Sequence, residues 1–166
     1  MKKTLKYLAY ILACVAVFLL VARNYGLLSS QQANAFEWEK QVNVYFGNSQ
    51  MGSGEDCQKV FPVTRTVINA ETLAPGTLQA LLDGVSETEK SEGYYSDLNK
   101  GIIVQKFEIK NGVAYVDLDQ TFNKGVKGAC KVQMIKSQIE TTLNSQPDID
   151  SVIISVNGKT DDILEP

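Results

Sequence analysis

Apolar and polar positions alternate along most of this chain, and the clearest pattern is a pair of β-rich runs around Lys110-Asn111-Gly112. Ile102, Val104, Phe107 and Ile109 precede that turn, and Val113, Tyr115, Val116 and Leu118 follow it. A tight primed turn needs positive φ, which Asn and Gly tolerate, so residues 101–122 predict a hairpin at the centre of a sheet. Upstream, residues 41–46 alternate and then turn aromatic, predicting a first strand. Residues 47–56 read as a loop and 60–68 as a second strand. Pro62 lacks an N–H, which places that strand at an edge, or the proline at its start or at a bulge. Leu73, Leu78, Leu81 and Leu82, with Pro75 early and Gly84 after the last of them, predict a short amphipathic helix. Ser86-Glu87-Thr88-Glu89 has the form of a capping box opening a brief helical turn, and residues 93–100 lead irregularly into the hairpin. After a loop over 123–128, Val132, Ile135, Ile139 and Leu143 mark one face of a helix over 129–143, stopped by Pro147. Residues 149–156 are apolar enough for a strand inside the sheet, closed by Asn157-Gly158. The order β-β-α-β-β-α-β predicts an α/β (α+β) domain over 41–166, one mixed sheet with two helices packed on one face.

The amino terminus has a different pattern. Residues 5–22 carry one charge, Lys6, and match the roughly 20 apolar residues that cross a hydrocarbon core of about 30 Å. Lys2 and Lys3 then keep residues 1–4 in the cytoplasm. A single-pass helix in the cytoplasmic membrane, with the rest of the chain extracytoplasmic, is therefore expected in front of the domain. The same residues have two other readings. Ala33-Asn34-Ala35 has the outline of a signal-peptidase site but lies far beyond the apolar run. Ile11-Leu12-Ala13-Cys14 has the outline of a lipoprotein box, yet the chain stays apolar to Ala22. The uncleaved anchor fits better than a cleaved signal sequence or a lipid on Cys14. Residues 23–40, polar and small, read as a linker.

Composition narrows the partners. Lys2, Lys3, Lys6 and Arg23 flank the apolar run, so of 16 basic residues only 12 remain to face 19 acids in the rest of the chain. Such a surface repels phosphate, which removes nucleic acid as a partner. The chain has no histidine, so the commonest general base and zinc ligand are missing.

Few residues offer chemistry. Cys57 and Cys130 fall at predicted element ends and, outside the cytoplasm, are expected to form a disulfide, two buried thiols being the alternative. A bridge would close a loop of about 73 residues and stabilise by ~4 kcal/mol on the chain-entropy model. With no histidine and no second cysteine pair they do not complete a metal site. Asp117, Asp119 and Glu108 are the acids a glycosidase would need, but near strand ends solvation or capping is the expected role. Asp148, Asp150, Thr160, Asp161 and Asp162 fall short of a calcium loop, and Ser96 with Lys100 makes no catalytic dyad. No enzyme, cofactor or metal is expected. Tyr94 and Tyr95 stand out, since tyrosine in a loop is suited to interfaces; one is expected in the core and the other at a partner surface.

Several segments together resemble one family. They are Val42-x-Val-Tyr-Phe46, Val63-x-Arg-x-Val67, Leu81-Leu82-Asp83-Gly84, Asn111-Gly-Val-Ala-Tyr-Val-Asp-Leu118, Ile139-Glu-Thr-Thr-Leu143, and Val152-x-Ile-x-Val156-Asn-Gly. In order and spacing they are similar to a GerMN domain, a module of sporulation and germination proteins. The resemblance spans Val42 to the carboxyl end. It implies a non-catalytic bacterial envelope domain, tethered by a transmembrane helix or lipid, that works in protein assembly. Two features depart from the family: a single copy, and Gly84-Val85 where Gly-Pro is frequent. The function expected is an extracytoplasmic interaction module that binds envelope proteins or copies of itself. A module binding cell-wall glycan or peptide is the alternative, and would present Trp38 or Tyr94 and Tyr95 at the rim of a groove.

Overall fold

The structure, a computed structural model, describes residues 2–24, 39–52, 56–68, 73–161 and 163–164. It divides into two compact units, residues 1–36 and 37–166. The first holds one helix, α1 (Lys2–Asn24). Its described apolar side chains, from Ile11 to Val21, are exposed. Among the described residues no helix is long and apolar enough to cross a membrane. The expected transmembrane helix is thus not found among the described residues. Ala33-Asn34-Ala35 and Trp38 lie outside the described residues.

The second unit contains β1 (Glu39–Asn48), β2 (Phe61–Ile68), α2 (Leu73–Leu82), α3 (Glu87–Ser91) and β3 (Tyr94–Tyr95). It continues with β4 (Val104–Lys110), β5 (Val113–Leu118), a 3-10 turn (Gln120–Asn123), α4 (Ala129–Asn144) and β6 (Ser151–Val156). The hairpin is as predicted: Asn111 and Gly112 have φ of 52° and 77°, and β4 and β5 pair antiparallel on either side. Pro62 lies on β2, which is an edge strand. The capping box is present, with Ser86 and Glu89 each bonding the other's backbone. The linker ends earlier than residue 40, since Glu39 and Lys40 already pair with Ile68 and Val67.

The sheet itself differs from the prediction. Among the described residues there are two three-stranded sheets, ordered β2-β1-β3 and β4-β5-β6, rather than one mixed sheet, and an extra short helix and an extra strand enter the order. The cause lies in α4, which packs against β1, α2 and β6 and so occupies the space between the sheets. The backbone N–H of Tyr45 points away from β2, where a further strand would pair, and donates instead to the Thr142 hydroxyl of α4 at 3.0 Å. A helix side chain thus ends the ladder and satisfies a donor that could not be left bare. α2 and α4 both pack against β1 and against each other, and α4 also reaches β6 of the second sheet. β6 runs parallel to β5 after the α4 crossover and forms an edge of its sheet rather than its interior. Its Ile153 is 41% exposed, beside Tyr115 of the central strand on the outer face.

The core gathers Val44 and Phe46 of β1, Leu78 and Leu81 of α2, Ala114, Val116 and Leu118 of β5, Phe122, and Ile135, Ile139 and Leu143 of α4. Burial on this scale, roughly 1.5–3 kcal/mol for each large side chain, holds the two sheets onto one helix.

Candidate functional site

The acids considered for catalysis are committed to structure. Asp117 accepts from Ser155 Oγ at 2.6 Å and from the Gly158 N–H at 2.7 Å, closing the turn after β6. Those bonds hold its carboxyl below the usual range. Asp119 caps the 3-10 turn, accepting from the Thr121 N–H and hydroxyl and, at 2.9 Å, from the Ile103 N–H. The Ile103 and Thr121 bonds lower its pKa as well. Glu108 lies between Lys110 at 2.6 Å and Lys106 at 3.0 Å, and these two hydrogen-bonded ammonium groups lower it. A glycosidase acid needs a raised pKa, and all three are shifted the other way. Ser96 is likewise engaged, by the fully buried Gln138 at 3.4 Å. No group of three or more His, Cys, Asp or Glu suited to a metal ion occurs among the described residues, and Asp162 lies outside them.

Arg65 organises one corner. Its guanidinium forks onto Glu89 at 2.6 and 2.8 Å, donates to the Gly84 carbonyl at 3.1 Å, and lies 5.7 Å from the Phe46 ring centroid. Glu89 is held at about 2, first by this pairing and then by the Ser86 N–H. Gly84, at φ 81°, turns the chain out of α2 with its carbonyl on Arg65, so a proline after it is not needed to fix the corner.

Cys57 and Cys130 form a disulfide with Cα atoms 5.0 Å apart, joining the segment before β2 to the start of α4. Cys14 is a free, exposed thiol. Beside the bridge is a cleft of about 350 Å³ whose walls include Ser49, Lys59, Tyr95, Asp97, Lys131 and Met134. Tyr94 and Tyr95 are not in a loop, as the polar surroundings suggested; they form β3, paired with Asn48 and Gly47. The pairing follows from Asn48, which is buried, donates from Nδ2 to the Glu92 carbonyl at 3.1 Å and accepts from the Gln50 and Met51 N–H groups. Tyr94 packs on the core, and Tyr95 lies 38% exposed at the cleft. The Tyr95 ring covers Gly47 so closely that a Cβ there would come within 2.7 and 2.8 Å of its ring carbons. Asp97 is half-buried, and burial pushes its carboxyl up, against a smaller downward pull from Lys131. Sequence reasoning missed Asp97 and Lys131, because nothing local says that residues 34 apart meet at one cleft.

A second surface is the outer face of the β4-β5-β6 sheet. The register aligns Glu108, Tyr115 and Ile153 in one row and Lys106, Asp117 and Ser155 in the next. Tyr115 and Ile153 are 40% and 41% exposed, and Lys110 Nζ lies 6.0 Å from the Tyr115 ring centroid. An aromatic and an aliphatic side chain thus lie exposed side by side on this face, framed by charges.

Comparison with known proteins agrees with this architecture. The family model Germane, described as sporulation and spore germination, matches residues 43–162. The spore germination protein GerM of Bacillus subtilis (strain 168) is 30% identical over 131 residues, which cover 75% of this chain and 33% of that protein. The chain thus spans about a third of that relative. The tandem GerMN domains of GerM superpose with a TM-score of 0.59 at 24% identity, over 74% of this chain and 40% of theirs. The first GerMN domain of the same protein gives 0.50 at 19% identity, over 73% of this chain and 85% of its own. This chain belongs to the Germane (GerMN) family of sporulation and spore germination domains.

Proposed function

We propose that this protein is an extracytoplasmic assembly module, non-catalytic, held at a membrane by its amino-terminal segment and binding envelope proteins or further copies of itself. The observation that carries the reading is the outer sheet face, where Tyr115 and Ile153 lie side by side in register and are both exposed. Family membership supports a role in sporulation or germination at the envelope. The engagement of Asp117, Asp119 and Glu108 supports a surface that recognises rather than reacts. Anchoring rests on the sequence of residues 5–22 and on the exposed apolar side chains of α1, which are poorly suited to water. An anchor raises local concentration, so a modest interface suffices.

The test is co-purification of the full chain from its host's carbonate-washed membranes, compared with Tyr115→Ser/Ile153→Ser. The wild-type chain should stay with the membrane and retain partners, and the double variant should stay there and lose them. Retention of the same partners by the double variant would remove the outer face from the interface. Release by carbonate would remove the anchor.

A further inference from the structure

We propose that the cleft beside the Cys57–Cys130 bridge binds a short peptide by its free termini, the ammonium toward Asp97 and the carboxylate toward Lys131, with Tyr95 against the chain between them. Its volume of about 350 Å³ lies at the small end of ligand pockets, which run from about 300 to 1,000 Å³.

Among the described residues four charged side chains line the cleft, and two of these already have contacts. Asp56 accepts from the Gln58 N–H at 2.9 Å, and Lys59 lies 5.6 Å from the Phe61 ring centroid. Asp97 and Lys131 are the remaining pair. Among the described residues, neither side chain makes a hydrogen bond or an ion pair within 4 Å. A half-buried carboxylate in that state has lost water without gaining a hydrogen bond or close ion pair, and burial raises its pKa against only a smaller pull from Lys131 across the cleft.

Both groups are held in place by their backbones. The Asp97 N–H donates to Oε1 of Gln138, itself fully buried, at 3.2 Å. Lys131 follows Cys130 directly, so the disulfide pins the turn that carries it. That turn is the first of α4; it holds no acid, and Gly128 before it supplies no side-chain cap. The field at this end of the cleft therefore favours an anion. A simple anion would also face Asp97, and a simple cation would face Lys131. A zwitterion satisfies both at once, and a peptide of about three residues supplies one with a backbone for the Tyr95 ring to lie against.

The experiment is an NMR titration of the isotope-labelled full chain in detergent micelles with trialanine, N-acetyl-trialanine and trialanine amide. Trialanine should give saturable shifts at Tyr95, Asp97 and Lys131. Each blocked peptide should bind about fivefold more weakly. Asp97→Asn should abolish the penalty for acetylation alone, and Lys131→Gln the penalty for amidation alone, in variants whose spectra otherwise match the wild type. Absence of saturable shifts at about 10 mM trialanine would overturn the site. So would equal binding of all three peptides to the wild-type chain.

Discussion

At the scale of single residues, the energetics concentrate in a few buried or paired polar groups. Arg65 and Glu89 are the main ionic case, with side chains only 22% and 15% exposed. Glu89 has a folded-state pKa of about 2 against 4.5 ordinarily. Its contribution is therefore fully present above pH 4.5 and is lost as pH falls toward 2. Glu89→Gln should cost about 1–2 kcal/mol at pH 7, less than the whole shift implies because solvent still reaches the pair. Urea unfolding of both proteins at pH 7 and pH 3 checks this, the gap narrowing at the lower pH. Sequence made part of this visible: the capping box at Ser86 and Glu89 was legible from spacing. The reach of Arg65 across from β2 was not, because it joins residues 24 apart. Gln138 and Thr142 were the clearest misses. Polar residues in a helix read as its solvent face, yet both are fully buried, one bonded to the backbone of Asp97 and the other to that of Tyr45.

At the scale of elements, α4 decides the architecture. The sequence pattern showed one apolar stripe, Val132, Ile135, Ile139 and Leu143. Met134, Gln138 and Thr142 form a second buried stripe beside it, in keeping with the packing of α4 against α2 as well as β1 and β6. Local signals were correct wherever the physics was local, as at Asn111-Gly112 and Pro62. Sheet membership was not legible, because it depends on which strand edge a distant hydroxyl occupies. The Cys57–Cys130 bridge ties the start of this helix to the segment before β2 across 73 residues of sequence. Replacing both cysteines with serine, or reducing the bridge, should lower unfolding stability by ~4 kcal/mol on the chain-entropy model. Denaturant unfolding with and without reductant would measure it. An unchanged midpoint would mean that the bridge contributes nothing to the folded state.

At the scale of the whole molecule, the folded unit offers an outer sheet face and a small charged cleft, while the amino-terminal helix offers exposed apolar side chains. Family membership was legible in the sequence because the matching segments lie in strands and helix ends whose spacing the fold preserves. Partner surfaces were less so: Tyr95 was singled out as a residue, but Tyr115 and Ile153 become neighbours only through the parallel pairing of β5 with β6. Under the proposed function the chain works inside an assembly. Its most direct test is the mass of full-length protein gently solubilised from its host's own membrane, measured beside the 37–166 fragment. The native particle should have a protein mass several times that of one 18.3 kDa chain, and the fragment a single-chain mass. A native particle containing one chain and no partner would contradict the proposed function.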